Sequence, residues 1–173
     1  MKKIMFSDAF CLTQAVLAGQ KTRTRRSLKD NVPLGNWEET KKHLPYKVGE
    51  VVAIAQCYND IGKPQYDKFG NGVPGNSNKM FVKADLLPHH IKITDVKVER
   101  LRDISDDEIL KDGVLKYYND KNLFYVSKNI GYAHEVAFPT AREAFWYLID
   151  KISGKGTWES NPWVAAYSFE LVD

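Results

Sequence analysis

Residues 17–26 read Leu-Ala-Gly-Gln-Lys-Thr-Arg-Thr-Arg-Arg, and they carry the chain from a helix into a strand. Apolar residues recur at helical spacing before Gly19, a residue type that commonly follows the last turn of a helix. From Lys21 to Arg26, threonines alternate with arginines at the period of a strand, which places Arg23 and Arg25 on one face. Because this stretch and the three residues after it contain five cations and no acid, we expect the strand to present a cationic surface.

The chain has the size and composition of one domain. Of its 173 residues, 43% are hydrophobic, which is enough for a single core, so residues 1–173 are predicted to form one domain. Only three apolar residues separate the opening Met-Lys-Lys from Ser7, so neither a signal peptide nor a membrane span is predicted. Cys11 and Cys57 form no Cys-x-x-Cys pair, and we interpret both as buried, reduced thiols. We expect a cytoplasmic protein that needs no cofactor and no membrane.

Charge is unevenly distributed along the chain. The net charge of +3 is small, but nucleic-acid-binding proteins are recognised by clustered charge rather than by summed charge. Four acids lie far in sequence from the cations of residues 17–26; they are Asp103, Asp106, Asp107 and Glu108. We therefore predict a basic surface and a separate acidic patch.

The remaining patterns predict an α+β fold. Strands are predicted at 51–55, 80–84, 90–101 and 163–171. Helices are predicted after the caps Ser7, Ser105 and Thr140, with one further turn at 38–43. The phase of the apolar residues changes near Thr94-Asp95, which predicts a β-bulge that bends the strand. Residues 59–79 are rich in Gly, Pro and Asn, and they predict a long loop insertion that either binds a ligand or is disordered.

Aromatic residues offer two interpretations. Tyr66 and Phe69 lie in the polar loop, where they can either stack on bases beside a basic groove or pack against the protein. Trp163 lies in the apolar alternation of the last strand, so we interpret it as a core residue. The four histidines have no spacing typical of a metal site, and none is predicted.

Four segments together resemble the ASCH domain, a branch of the PUA-like superfamily, in the form carried by bacteriophages and prophages. They are residues 17–26, with the pattern G-x-K-T-x-T-x-R, residues 46–51, residues 93–101, and residues 158–164, with the sequence Asn-Pro-Trp. The resemblance implies a small PUA-like β-barrel with flanking helices and a cleft lined by the basic strand. It also implies RNA or a nucleotide as the ligand, and a monomer or weak dimer.

Within that resemblance, the basic strand supplies most of the expected ligand contacts. Lys21, Arg23 and Arg25 would bind phosphate, and Thr24 would bond to the base or sugar. The other predicted contacts are Thr22, Arg26, Lys92, Tyr66 and Phe69.

Two alternatives remain open. Some ASCH relatives are amidohydrolases that deacylate acetylcytidine with a Lys, a Thr and a Glu. Lys21 and Thr24 match the general base and the nucleophile, whereas Lys92 stands where the Glu is expected, and a small register shift would bring Asp95 there instead. The other alternative is a phage protein that binds a host factor through the loop at 59–79.

Overall fold

The structure is a computed structural model that describes residues 1–120, 122–129 and 134–173, and it has the predicted mixture of helices and sheets. The strands are β1 Lys3–Ile4, β2 Arg23–Ser27, β3 Val51–Ile54, β4 His90–Arg100, β5 Leu115–Lys116, β6 Phe124–Ser127, β7 Glu135–Phe138 and β8 Trp163–Leu171. The α-helices are α1 Leu12–Leu17, α2 Trp37–Lys42, α3 Asp106–Lys111, α4 Ala141–Ser153 and α5 Thr157–Ser160. Within the described residues, no helix combines the length and apolar composition needed to cross a bilayer.

Five strands form the larger sheet, in the order β1-β3-β4-β8-β2. β1 is parallel to β3, and the other neighbours are antiparallel. In the described part of the chain no backbone pairing joins β1 to β2, so the predicted barrel closure is not confirmed. The Arg26 guanidinium donates to the Met5 carbonyl, just beyond β1, and this side-chain bond links the two edges at one point.

The long β4–β8 pair forms the centre of this sheet. Its register changes between Ile93, which lies opposite Phe169, and Asp95, which lies opposite Ser168. The bulge predicted from the change of apolar phase is therefore present. Strand β3 is buried as predicted from Val52 to Ile54, but its first residue, Val51, is 41% exposed.

Two helices begin at their predicted caps. The Ser105 hydroxyl accepts from the Glu108 amide while the Glu108 carboxylate accepts from the Ser105 amide, so α3 has the predicted capping box. The Thr140 hydroxyl caps α4 by accepting from the Glu143 amide, and it also donates to the Glu143 carboxylate at 2.9 Å. The buried face of α4 packs against the core and against the smaller sheet, β5-β6-β7, which the sequence analysis did not predict.

Some local predictions are wrong. Met80 and Phe81 lie in a 3-10 turn, Lys79–Phe81, rather than in a strand, and they are 66% and 64% exposed. Ser7 does not cap the first helix: α1 begins at Leu12, and Cys11 precedes it in the left-handed region with φ +56°. Cys11 is half-buried rather than buried, whereas Cys57 is buried, and both are free thiols.

Candidate functional site

A cavity of about 270 Å³ opens beside β2. Residues 5–7 line one side of it, and α4 provides an apolar wall that includes Phe145, Leu148 and Ile149. The polar wall is formed by Lys21, Thr24, Arg25, Arg26 and Asp112. The cavity thus combines an apolar surface with a group of charged side chains.

Lys21 is fixed at this wall by three protein acceptors. Its Nζ lies 2.9 Å from Asp112 Oδ1, 2.5 Å from the Asp112 carbonyl and 2.7 Å from the Arg23 carbonyl. Burial lowers the pKa of Lys21, and the neighbouring Asp112 carboxylate opposes that shift. Since each ammonium proton has an acceptor within the protein, Lys21 is held in one orientation.

Two arginines of β2 are also paired with carboxylates. Arg25, which is almost inaccessible to solvent, donates to Asp112, to Glu99 at 2.9 Å and to Glu108 at 3.2 Å. Arg23 donates to Glu108 at 2.5 Å. The prediction of an exposed cationic strip is therefore wrong, because distant acids fold onto the strand and neutralise most of its charge.

Glu108 is the carboxylate that joins the basic strand to α3. Besides capping α3, it accepts from Lys97 at 2.6 Å and pairs with Arg23 and Arg25. Burial alone would raise the pKa of Glu108, but the hydrogen bonds from Lys97 and the Ser105 amide, together with the charge of Arg25, lower it to about 2. The acidic patch predicted to be separate thus contributes Glu108 to the basic strand.

Arg26 differs from its neighbours in β2. Its Nη2 bonds to the Met5 carbonyl, but no carboxylate of the described residues forms an ion pair with it. The Nε atoms of Arg26 and Arg25 are shielded from solvent, and neither has an acceptor in the part of the chain that the structure describes. Burial lowers the pKa of Arg26, because the charged guanidinium is poorly solvated there. A guanidinium that forms no direct ion pair among the described residues therefore lines the cavity.

Phe6 lies between two of these cations. The centre of its ring is 5.8 Å from Lys21 Nζ and 5.8 Å from Arg26 Cζ. The negative face of an aromatic ring attracts cations, so Phe6 stabilises both positions without supplying a hydrogen-bond acceptor.

The structure brings together only part of the predicted site. Four predicted residues line the cavity, namely Lys21, Thr24, Arg25 and Arg26. Thr22 and Arg23 flank them on the same segment, but they do not line the cavity. Lys92 is an exposed residue of β4 opposite Val51, and the exposed Asp95 lies opposite Ser168.

Tyr66 and Phe69 lie on a turn outside the cavity. The Asp67 carboxylate accepts from the Phe69 and Asn71 amides at 2.9 Å and so fixes the turn. Both aromatic rings are exposed, and the Lys68 Nζ is 4.9 Å from the centre of the Phe69 ring. Neither ring lines the cavity, so a ligand confined to the cavity would not contact them.

Sequence analysis missed Asp112, the carboxylate that pairs with both Lys21 and Arg25. Its only sequence signal is its position before Gly113, which has φ +124° and lies against the Leu12 side chain. A Cβ at Gly113 would come within 2.7 Å of Leu12 Cδ2, so this turn requires a glycine. Across the described residues, no three His, Cys, Asp or Glu side chains are grouped to hold a metal ion.

No protein-family model matches the chain, and no curated protein matches it. The solved structures to which it is similar include the following two. Protein EF3133 from Enterococcus faecalis V583, described with the family DUF984, is 14% identical with a TM-score of 0.43, and the alignment covers 94% of this chain and 67% of that one. The ASCH domain from Lactobacillus crispatus JV V101 is 11% identical with a TM-score of 0.35, and the alignment covers 92% of this chain and 69% of that one. At these values the likenesses carry no inference about function. A solved ASCH domain is thus among the structures to which this chain is similar.

Proposed function

We propose that this protein binds RNA or a nucleotide, and that Arg26 holds a phosphate of the ligand in the cavity beside β2. The observation that carries the proposal is the Arg26 guanidinium, which faces the cavity without a carboxylate partner among the described residues. An unpaired cation with restricted access to water is unfavourable, and a phosphate both neutralises it and matches the fork of an arginine.

The apolar wall formed by α4 suits the base and sugar of a nucleotide. Phe145, Leu148 and Ile149 offer an apolar surface to a base, and the Thr24 hydroxyl can bond to the base or sugar. A cavity of about 270 Å³ suits one nucleotide rather than an oligonucleotide. Any longer RNA would have to continue outside it.

This proposal changes the expected division of roles within β2. Lys21 and Arg23 already bond to protein acceptors, so we assign the phosphate mainly to Arg26 rather than to them. Lys21 and Arg25 remain part of the wall, where both are paired with Asp112. Contacts to the predicted residues Thr22, Lys92, Tyr66 and Phe69 would require a ligand that extends beyond the cavity.

Calorimetric titration with the four 5′-ribonucleoside monophosphates and the four nucleosides tests the proposal. A hydrogen-bonded charge pair contributes about 1.5 to 3 kcal/mol, so we expect Arg26→Gln to weaken binding of the preferred monophosphate at least about tenfold. Arg102→Gln, which changes an exposed arginine outside the cavity, should leave the affinity unchanged. Equal affinity for nucleoside and nucleotide, or an unchanged affinity in Arg26→Gln, would contradict the proposal.

A second candidate function is amide hydrolysis on an acylated pyrimidine nucleoside such as acetylcytidine. The observation that favours it is the Asp112 carboxylate beside Lys21, in a cavity that Thr24 also lines. Asp112 would take the role predicted for Asp95 by holding Lys21 in position, and Lys21 would have to release a proton before it could act as a general base. Release of acetate from acetylcytidine measures this activity, and turnover no higher than that of Thr24→Ala would exclude it.

A further inference from the structure

Trp37 presents an exposed indole on a fixed helix start. It is the first residue of α2, whose cap, Asn36, accepts from the Glu38 amide at 2.9 Å and the Glu39 amide at 3.4 Å. The Trp37 side chain is nevertheless 44% exposed. Because the cap fixes the start of the helix, Trp37 can contact a partner with little loss of backbone entropy.

Two grooves flank Trp37, and it lines both of them together with Val96. The first groove, of about 410 Å³, extends towards Lys47, and the second, of about 420 Å³, extends towards Trp163. Four lysines belong to the two linings; they are Lys41, Lys42, Lys47 and Lys97. Among the residues that the structure describes, neither lining includes an aspartate or a glutamate.

Trp163 forms a second aromatic surface at the far end of these grooves. It is 37% exposed, which corrects its interpretation as a core residue, and it lies opposite Arg100 in the β4–β8 pair. The Arg100 Cζ is 4.6 Å from the centre of the indole ring, so the guanidinium covers part of the ring and fixes its orientation.

Most of the lysines that line the grooves are held only weakly by acceptors of the protein, so they can still bind a ligand. Lys41 and Lys42 pair with Glu38 and Glu39 on the exposed surface of α2, and exposed pairs of this kind contribute little. Lys47 Nζ bonds only to backbone carbonyls among the described residues. Lys97, by contrast, is paired with Glu108 and Glu99, so the three lysines of the first groove carry most of the available charge.

We infer that Trp37 and Trp163 are stacking platforms for a single-stranded nucleic acid whose backbone follows the lysines of the two grooves. Every base has a π-face, and aromatic platforms beside cationic grooves are the usual means of holding single strands. The inference rests on the proposed function and names its ligand as a single strand longer than one nucleotide. The lysines favour a polyanion over a protein partner.

The segment that lines the cavity continues directly to a contact with Trp163. Ser27, the last residue of β2, lines the cavity, and the next amide, that of Leu28, donates to the Trp163 carbonyl at 3.0 Å. The chain thus runs from the cavity wall to the backbone of Trp163, which lines one groove together with Trp37.

Fluorescence anisotropy with a labelled twelve-nucleotide uridine RNA tests this inference, alongside calorimetric titration with UMP. We expect the RNA to bind at least tenfold more tightly than UMP. Trp37→Ala or Trp163→Ala should weaken RNA binding about 5- to 100-fold, the range typical of a lost base stack, and should leave UMP binding unchanged. Trp37→Phe should restore most of the affinity, because a phenyl ring still stacks.

Trp146→Ala is the matched control. Trp146 is 41% exposed, like Trp37, but it lies on α4 and lines a different groove, so RNA binding should be unaffected by its removal. Unchanged RNA binding in both Trp37→Ala and Trp163→Ala would overturn the inference, while Arg26-dependent UMP binding would still support the proposed function. RNA binding that depends on Trp37 but not on Arg26 would support the inference and contradict the cavity assignment. No binding of either UMP or the RNA would overturn both.

Discussion

Lys21 Nζ and Asp112 Oδ1 lie 2.9 Å apart inside the protein although 91 residues separate them in the sequence. The same carboxylate accepts from Arg25, so one acid contacts two buried cations, and Glu99 and Glu108 supply further negative charge to Arg25. This contact fixes the end of α3 against β2 and gives the cavity its polar wall. Most of the basic strand thus has a structural role, which leaves Arg26 as the cation with a free capacity for a ligand.

Asp112→Asn should destabilise the protein strongly. Removing one member of a buried ion pair leaves an uncompensated charge, which costs about 3 to 5 kcal/mol. Here Lys21 loses its carboxylate partner, whereas Arg25 keeps Glu99 and Glu108. Urea denaturation followed by circular dichroism measures the change in the free energy of unfolding. Asp107→Asn, an exposed acid on the same helix, should change it by less than about 0.5 kcal/mol. A similar small effect in Asp112→Asn would contradict the structural role.

Arg26→Met, unlike Asp112→Asn, should leave the protein stable but abolish nucleotide binding. Because Arg26 has no carboxylate partner in the described residues, its removal relieves an unfavourable buried charge, although the Met5 carbonyl loses a donor. We expect a free energy of unfolding within about 1 kcal/mol of the wild-type value, or higher, together with loss of nucleotide binding. A loss of stability comparable to that of Asp112→Asn would assign Arg26 a structural role instead.

Glu108 should make the stability of the protein depend on pH in the acid range. Its pKa is about 2 in the folded protein and near 4.5 in the unfolded chain. The stabilisation is therefore fully present above pH about 4.5, and it disappears as the pH falls towards 2. After allowance for solvent screening, we expect a contribution on the order of 1 to 2 kcal/mol.

Thermal unfolding between pH 2 and pH 6 measures this contribution. Glu108→Gln should be less stable than the wild type at pH 6, and the difference should shrink as the pH approaches 2. A difference that is constant across this range would show that ionisation of Glu108 does not contribute.

Gly113→Ala should destabilise the turn that positions Asp112. The φ of +124° is unfavourable for alanine, and its Cβ would contact Leu12 Cδ2 at 2.7 Å, so we expect a loss of about 1 to 3 kcal/mol. Gly35→Ala is the control, because its added Cβ has no neighbour within 4 Å. Equal stability of the two variants, measured in urea, would contradict this account of the turn.

Features that depend on neighbouring residues could be predicted from the sequence. The caps Ser105 and Thr140, the bulge after Ile93 and the final strand are all determined by patterns a few residues long. The predicted strand at 80–84 does not form, because Met80 and Phe81 lie exposed in the turn Lys79–Phe81 and only Val82 of this run is buried.

The charge network could not be predicted in the same way. Glu99, Glu108 and Asp112 are distant in sequence from β2, and only tertiary packing brings them onto its arginines. The sequence pattern identified the cations that line the cavity, but not the carboxylates that pair with them. The difference between Arg26 and Arg25 therefore became visible only in the structure.

The most direct test of the central claim is the NMR signal of the Arg26 Nε–H group during titration with the preferred nucleoside monophosphate. Our account predicts that this resonance, assigned by its loss in Arg26→Gln, shifts in proportion to site occupancy, and that the matching nucleoside leaves it in place. Saturation of the protein with the nucleotide while the Arg26 resonance stays unchanged would contradict the account.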